Sequence, residues 1–391
     1  MEDDMRKALF SFCLSLVLFG AARADSLNVR LVGRCYPPLL GRDIVVSGDH
    51  AYVADWISGF VIVSIADPAH PVYVGQGSTS GGSVGVAESA GYAYVANVTD
   101  GLVVVSVADP ANPVEVGRLD AGSLMGDVAL RDSYAYVAEQ DSGMSVVSIA
   151  DPTHPSRVGR WYSSGGRCVA VSGDKAYVLL AGYGLKVISV ADPADPVEIG
   201  SCYVPGLYRN ALALQGQYVY VAARNAGLRI ISIADPANPV EVGFYDSPGS
   251  AYGVAVRGDT AYLGDYAAGL RVISVTDPAN PVEIGFYETP GNAWAVAADG
   301  YYIYLADEYG LGIYQTYSAA VEETPGVEVR PPNGGPTVLS GASGALRLAS
   351  CAVYDALGRR VMNPKSGVYF LRQAASVKRG ASTVTKVLIT R

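Results

Sequence analysis

The sequence predicts an all-β protein: a seven-bladed β-propeller closed by an N-terminal strand, followed by a small C-terminal Ig-like β-sandwich. Three observations lead to this prediction. A unit of about 42 residues recurs along the chain, a Tyr-Val-Ala strand motif or a close variant occurs seven times, and the seventh unit lacks its last strand. Repeats of this length that contain only strand-like segments are typical of propeller blades.

The repeat is marked most clearly by the pair Asp-Pro, which recurs at intervals of 41 to 43 residues. The six copies begin at Asp67, Asp109, Asp151, Asp192, Asp235 and Asp277. Each unit predicts four short strands, because Val, Ile and Tyr alternate with small or polar residues between turns rich in Gly and Pro. In the third unit these strands are 128–131, 134–139, 144–149 and 156–161.

The split seventh unit predicts how the ring closes. Residues 312–317 end this unit without an Asp-Pro phrase, whereas residues 28–33, before the first unit, have the pattern of a fourth strand. We therefore expect the N-terminal strand to complete the last blade, which removes two exposed sheet edges. The alternative is an open solenoid, which does not require a split unit.

The repeated wording resembles a known family. The phrases Tyr-Val-Ala, Gly-Leu-x-Val-Ile-Ser and Asp-Pro-Ala-Asn-Pro-Val, spread over about residues 27–318, are similar to the LVIVD-repeat family of extracellular propellers. The resemblance implies a fold and an extracellular setting more than an activity.

The N-terminus has the pattern of an export signal over residues 1–24. Arg6 and Lys7 precede an uncharged apolar run from Ala8 to Gly20, and a small-x-small cleavage site ends at Ala24. A membrane anchor is the alternative, but this run is shorter than the roughly 20 residues that a span requires. We expect cleavage after Ala24, the propeller at residues 25–318, and no transmembrane segment once the signal is removed.

A linker at 319–340 and a β domain at 341–391 are predicted after the propeller. Strand-like runs occur at 346–348, 351–354, 367–371 and 385–390. The wording of 353–361, 366–372 and 386–391 resembles the C-terminal (Por-type) sorting domain of the type IX secretion system. It also resembles an Ig-like module of flagellar hook-capping proteins, but the longer middle segment of that module is absent. The resemblance implies secretion to the outer surface of a Gram-negative-type bacterium; an ordinary interaction sandwich is the alternative.

The composition gives little sign of catalysis. The net charge of −9 argues against nucleic-acid binding. His70 and His154 stand where sister units have Asn, as expected of turn residues, and no nucleophile is evident beside them. The four remaining cysteines (Cys35, Cys168, Cys202 and Cys351) form no zinc pattern. We predict no cofactor and no metal site; a Ca²⁺ site formed by Asp43, Asp55 and Asp127 is the alternative considered.

The positions where the units differ most are expected to meet on one face of the ring. At the start of the first strand the seven units carry Arg42, Val84, Gly126, Arg167, Asn210, Tyr252 and Trp294. From these and the neighbouring variable positions, the predicted partner-binding residues are Arg42, Asp43, Asp55, Trp56, Asp127, Glu139, Arg167, Tyr183, Asn210, Arg224, Tyr252, Tyr266, Trp294, Asp307 and Tyr309. Trp, Tyr and Arg are the residue types that most often dominate recognition surfaces.

The leading hypothesis is a secreted or cell-surface binding or scaffold protein, not an enzyme, that holds an extracellular protein or glycan on the variable face. The C-terminal domain would engage the secretion machinery. One alternative is a propeller enzyme, a lyase or hydrolase that uses carboxylates such as Asp43 and Asp127. Another is a purely structural component of a surface layer.

Overall fold

The computed structural model describes residues 26–317, except 38–39, 78, 80, 121 and 207–210, and the backbone of three C-terminal strands. The chain divides into two compact units, Met1–Ser318 and Ala319–Arg391. The predicted signal peptide, its cleavage site at Ala24, the linker and the run at 346–348 lie outside the described residues. Within the described ranges, no helix is long and apolar enough to span a bilayer.

The first unit is a ring of seven antiparallel blades, each of four strands, and the short first strand of the described chain adds a fifth strand to the edge of the sixth blade. Two strands precede the first complete blade: β1 (Ser26–Leu27) and β2 (Val29–Cys35). Blades 1 to 3 are β3 (Gly41–Ser47), β4 (His50–Asp55), β5 (Gly59–Ser64) and β6 (Val72–Gly77); β7 (Ser83–Ser89), β8 (Tyr92–Asn97), β9 (Gly101–Ser106) and β10 (Val114–Leu119); and β11 (Met125–Arg131), β12 (Tyr134–Glu139), β13 (Gly143–Ser148) and β14 (Ser156–Trp161).

Blades 4 to 7 continue the same order. They are β15 (Gly166–Ser172), β16 (Lys175–Leu180), β17 (Gly184–Ser189) and β18 (Val197–Cys202); β19 (Leu212–Gln215), β20 (Tyr218–Ala222), β21 (Leu228–Ser232) and β22 (Val240–Tyr245); β23 (Gly253–Arg257), β24 (Thr260–Gly264), β25 (Leu270–Ser274) and β26 (Val282–Tyr287); and β27 (Ala293–Asp299), β28 (Tyr302–Asp307) and β29 (Gly310–Thr316), completed by β2. The first strands of consecutive blades contact one another around the ring, including β27 with β3, so they surround a central channel.

Two ends of the ring are distinguished by their loops. Because strands within a blade are antiparallel, the loops between second and third strands lie at the same end as the connections from one blade to the next. We call this end the upper face. The turns between first and second strands, and the Asp-Pro turns between third and fourth strands, form the lower face.

The N-terminal strand completes the last blade, as the split repeat predicted. β2 pairs antiparallel with β29, with Val29 opposite Thr316 and Cys35 opposite Leu311. The Arg34 guanidinium forms two hydrogen bonds to the Asp307 carboxylate, at 2.9 Å and 2.6 Å, and a third to the Tyr314 hydroxyl at 3.0 Å. We call Arg34 and Asp307 the closure pair. It joins the start of the chain to its last blade, so the open solenoid is excluded.

The Asp-Pro turns are stabilised locally. In each of the six copies the Asp side chain accepts a hydrogen bond from the backbone N–H two residues later. His70 and His154 each bond to the Asp side chain of their own turn, as the Asn residues at the equivalent positions of sister units do. These histidines are therefore turn residues on the lower face, which is the role expected from the alignment.

The same turns also form the contacts between blades. A Cβ built on Gly243 of blade 5 would lie 2.1 Å from the carbonyl oxygen of Pro278 in blade 6. Six such Gly–Pro contacts recur: Gly33 with Pro68, Gly75 with Pro110, Gly117 with Pro152, Gly159 with Pro193, Gly200 with Pro236, and Gly243 with Pro278. At the seventh boundary, the carbonyl of Leu27 in β1 lies over Gly285, so the N-terminal segment replaces the missing Asp-Pro turn.

The hydrophobic core is distributed around the ring. Seven clusters of buried residues occur in the described chain, one at each boundary between adjacent blades. Second and third strands are buried on both faces, for example Gly101–Ser106, because each blade packs between two others. This explains why these strands read as continuous Val, Ile and Leu runs instead of alternating strictly.

The C-terminal unit contains one described sheet. Its strands are β30 (Cys351–Tyr354), β31 (Gly367–Gln373) and β32 (Val384–Ile389), arranged antiparallel in that order. Their positions match three of the four predicted strand-like runs. The Ig-like sandwich and the sorting role remain predictions.

Candidate functional site

A small cavity lies where the innermost strands begin, on the upper face. It has a volume of about 90 Å³ and is lined by one residue from each blade and by Gln140. In blade order the seven lining residues are Arg42, Val84, Gly126, Arg167, Ala211, Tyr252 and Trp294. We call this space the mouth cavity. Six of the seven are the variable positions predicted at the start of the first strands. In blade 5 the lining residue is Ala211, and the predicted Asn210 lies outside the described residues.

β-Bulges accompany the lining positions. At the start of β3 the pairing register shifts across Arg42, which makes it the extra residue of a bulge. Equivalent shifts make Val84, Gly126, Arg167 and Trp294 the extra residues in blades 2, 3, 4 and 7. A bulge leaves one residue outside the ladder and redirects its side chain, and bulges are common at barrel rims and beside functional sites.

One half of the mouth is an arginine–aromatic cluster. The rings of Tyr252 and Trp294 lie 4.7 Å apart, and the ring of Tyr266 lies 5.0 Å from that of Trp294. The Arg42 guanidinium stands 4.3 Å from the Trp294 ring, and the Arg224 guanidinium stands 5.4 Å from the Tyr252 ring. Trp56 completes the cluster beyond Arg42, at 5.6 Å. Each such cation–π contact contributes about 0.5–2 kcal/mol.

Two members of this cluster sit on unusual backbone. Arg224 and Tyr266 have φ values of 48° and 50°, in the left-handed region of backbone conformation that residues other than glycine rarely adopt. Each forms an isolated antiparallel bridge to the next blade, Arg224 with Ala251 and Tyr266 with Ala293. Strained backbone that is held by surrounding hydrogen bonds is frequent at functional sites. The bridges hold both side chains against the mouth.

The acidic residues that end second strands are buried instead of being presented to a partner. Asp55, Glu139, Asp265 and Asp307 have no exposed surface. Asp55 accepts three backbone N–H groups of adjacent loops at 2.7–3.0 Å. Glu139 pairs with Arg160 at 2.9 Å, and Asp307 belongs to the closure pair. The predicted binding residues Asp55, Glu139 and Asp307 thus lie at the upper ends of their blades, but they are buried and bonded within the fold instead of exposed to a partner.

Two other predicted acids join neighbouring blades inside the channel. Asp43 accepts the backbone N–H of Val86 at 2.9 Å, which joins blade 1 to blade 2. Asp127 accepts the N–H of Val169 at 3.0 Å and the thiol of Cys168 at 2.9 Å, which joins blade 3 to blade 4. Their oxygens are thus bonded to the channel wall.

These two carboxyl groups have altered ionisation. Burial raises the pKa of Asp43 above its usual value. Burial, followed by repulsion from the Asp43 charge, raises the pKa of Asp127 to about 7. Because the unfolded chain has an Asp pKa near 3.9, the folded protein holds this proton more tightly. The stability contributed by the proton is full below about pH 4 and is lost as the pH rises through 7.

We expect Asp127→Asn to flatten this part of the pH profile. Between pH 5 and pH 8, the stability of the wild-type protein relative to the variant should fall by on the order of 1–2 kcal/mol, because only the wild type must ionise this partly exposed carboxyl group of the channel wall. Urea unfolding at each pH measures the difference. A control variant is Asp235→Asn, whose exposed carboxyl has a lowered pKa. If the free energy of unfolding changed with pH in the same way for the wild type and for Asp127→Asn, the raised pKa of Asp127 would be contradicted.

Exposed aromatic side chains lie in the loops of the upper face. Tyr183 and Tyr309, both predicted, are 62% and 56% exposed in loops between second and third strands. Tyr36, Tyr162 and Tyr203, which were not predicted, are exposed in the connections between blades. The sequences of these connections vary. The recurrence of Tyr directly after the fourth strand is the sequence signal from which these three tyrosines could have been predicted.

The described side chains show no metal cluster and no disulfide. Among them, no group of three or more His, Cys, Asp or Glu residues is placed to hold a metal ion. Cys35, Cys168 and Cys202 are free thiols. The side chain of Cys351 is not among those described.

The closed ring of seven four-stranded blades around a lined channel defines the class of this protein, a β-propeller built from repeats. The particular family follows from the repeat itself. Seven LVIVD repeats match at residues 41–79, 80–121, 124–162, 166–204, 209–247, 248–289 and 290–313, and the chain belongs to the LVIVD repeat family. No curated protein matches the chain.

Solved structures share the fold. The beta-propeller domain of Myceliophteria thermophila Cps50 (Swd1) superposes with a TM-score of 0.60 at 12% identity, covering 74% of this chain and all of that domain. The computationally designed Ika8 protein gives a TM-score of 0.54 at 10% identity, covering 73% of this chain and 99% of its own. At such identities the likeness concerns the fold alone.

Proposed function

We propose that this chain is a secreted or cell-surface binding or scaffold protein, not an enzyme, and that it holds a protein or glycan partner on its upper face. The observation that carries the proposal is the mouth cavity. Each of the seven blades contributes a lining residue at the start of its first strand, and these seven residues are of six types although the surrounding repeat is nearly constant. In a repeat protein, such variation concentrated at one end of the ring favours recognition.

The composition of the upper face supports binding. The mouth combines arginines with Trp and Tyr, and Tyr183, Tyr309 and Ile57 are exposed around it. Aromatic residues and Arg are enriched at the centres of protein interfaces, where a few of them supply most of the binding energy. The predicted export signal and the resemblance of the tail to a sorting domain favour an extracellular setting, with the secretion machinery as a second partner.

The acidic residues support a non-catalytic role. An enzyme based on carboxylates requires an acid and a base directed at a substrate. Here Asp43 and Asp127 are bonded to backbone N–H groups of neighbouring blades. Asp55 is likewise bonded to loop N–H groups.

The double variant Tyr183→Ala, Tyr309→Ala tests the binding face. Ligands are first found by screening the full-length protein against displayed peptides and a glycan array. They should bind the variant at least about tenfold more weakly, because two exposed aromatic contacts are lost. The affinities are measured by biolayer interferometry.

The matched control is Tyr301→Ala, a side chain that is 81% exposed in a turn of the lower face. This variant should bind as the wild type does. Equal losses for both variants, or no loss for the double variant, would show that recognition does not use the upper face.

A further inference from the structure

We infer that the mouth cavity receives a single acidic side chain of a protein partner, an inference that rests on the proposed binding function and specifies its chemistry. A carboxylate on a short stem would enter between Arg42 and Arg167. The body of the partner would then lie on the exposed side chains around the mouth. The inference depends on the charge of the lining, on the way its guanidinium groups are held, and on the size of the space.

The lining is positively charged in a protein of net charge −9. Arg42 and Arg167 line the cavity, and within the described residues no carboxylate does. The nearest acids along the inner strands, Asp43 and Asp127, are bonded to the N–H groups of Val86 and Val169 in the channel wall. Burial and repulsion from Asp43 raise the pKa of Asp127 to about 7, so this carboxyl group is only partly ionised at neutral pH and repels an incoming anion less than a fully ionised one.

The lining also contains a buried hydrogen-bond donor without an acceptor among the described residues. The indole Nε1 of Trp294 is buried and has no acceptor among the described residues. The side-chain oxygen of Gln140 already accepts a hydrogen bond from Arg167. This indole N–H, together with the positive charge of the two guanidinium groups in the lining, favours an acceptor that carries negative charge, and a carboxylate has two acceptor oxygens.

The guanidinium groups are positioned in advance. Arg42 is held against the rings of Trp294 and Trp56. Arg167 donates to Gln140, whose side-chain amide donates in turn to the carbonyl of Met125 at 3.0 Å. Side chains that are already ordered lose less entropy when a partner binds, which raises affinity.

The size of the cavity and the use of its rings favour a side chain over a sugar. About 90 Å³ is well below the 300–1,000 Å³ of ordinary small-molecule sites, so one group of a larger partner fits better than a whole ligand. The Trp294 ring contacts Arg42, Tyr252 and Tyr266, and the Tyr252 ring contacts Arg224. These rings position cations instead of offering a stacking platform.

Selection from a random peptide library displayed on phage tests the inference. With full-length protein as bait, we expect the enriched peptides to carry Asp or Glu at one fixed position. Changing that residue to Asn or Gln, or changing the protein by Arg42→Met or Arg167→Met, should each weaken binding at least about tenfold. Binding should also weaken as salt is added. The control Arg257→Met, an exposed arginine at the end of β23 near the lower face, should leave affinity unchanged.

The outcomes separate the two proposals. Enriched peptides without a fixed acid, bound equally by the wild type and the arginine variants but lost in Tyr183→Ala, Tyr309→Ala, would overturn the inference and keep the binding face. Oligogalacturonate that binds through Arg42 and Arg167, in a screen where no acidic peptide does, would overturn the protein partner in favour of a glycan. Peptides insensitive to every upper-face variant would overturn both.

Discussion

Arg34→Met is expected to lower the free energy of unfolding by about 3–5 kcal/mol, because it leaves the Asp307 carboxylate buried without its cation. The Arg34 side chain is 4% exposed and that of Asp307 is fully buried, so water cannot replace the lost hydrogen bonds. The loss should be larger than for most single substitutions because this pair holds the N-terminal strand in blade 7. Urea or guanidinium unfolding followed by circular dichroism measures it.

The matched control for the closure pair is Arg30→Met. Arg30 lies on the same strand, but it is exposed and bonds only to the side chain of Gln315 among the described contacts. We expect this variant to cost less than about 1 kcal/mol. The double variant Arg34→Met, Asp307→Asn should recover part of the loss because the buried charge is removed. A loss below about 1 kcal/mol for Arg34→Met would show that closure does not depend on this pair.

Gly243→Ala is expected to lower the free energy of unfolding by about 3 kcal/mol through overpacking at the boundary between blades 5 and 6. The added methyl group would meet the Pro278 carbonyl at 2.1 Å, and that carbonyl belongs to a turn fixed by the Asp277 side chain. Relief requires the two blades to separate, which disturbs the hydrophobic cluster between them. The same unfolding measurement gives the effect.

Gly264→Ala provides the control for this substitution. Gly264 lies inside β24, a Cβ there would meet its nearest atom at 3.4 Å, and sister blades carry Ala54 and Ala96 at this position. We expect no loss, and a gain of up to about 1 kcal/mol because alanine is less free in the unfolded chain. If Gly243→Ala were as harmless as Gly264→Ala, the close Gly–Pro contact would not be what determines the spacing of the blades.

The equivalent residues at the start of each first strand show how much of the site could be predicted from the sequence. Counting the repeat placed Arg42, Arg167, Tyr252 and Trp294 in equivalent positions, and a closed ring necessarily brings equivalent positions to one end. The bulges that redirect several of these side chains could not be predicted, since nothing in the wording of the repeat marks a shift of register. The acids at the ends of second strands had a similar pattern of variation, yet they are buried: Asp55 is bonded to adjacent loops, and Glu139 and Asp307 pair with arginines of other strands.

The chain alone determined the number of blades, their order and the completion of the seventh by the N-terminal strand, because these follow from repeat length and from hydrophobic patterning that is local in sequence. Only the tertiary structure showed that the Asp-Pro turn of one blade lies against a glycine of the preceding blade, and that β1 takes this place at the last boundary. Only the tertiary structure, too, separated the arginines and aromatic residues of the mouth from the buried acids. Contacts between blades join residues about 40 positions apart, and their distances depend on how neighbouring sheets pack, which no local pattern encodes.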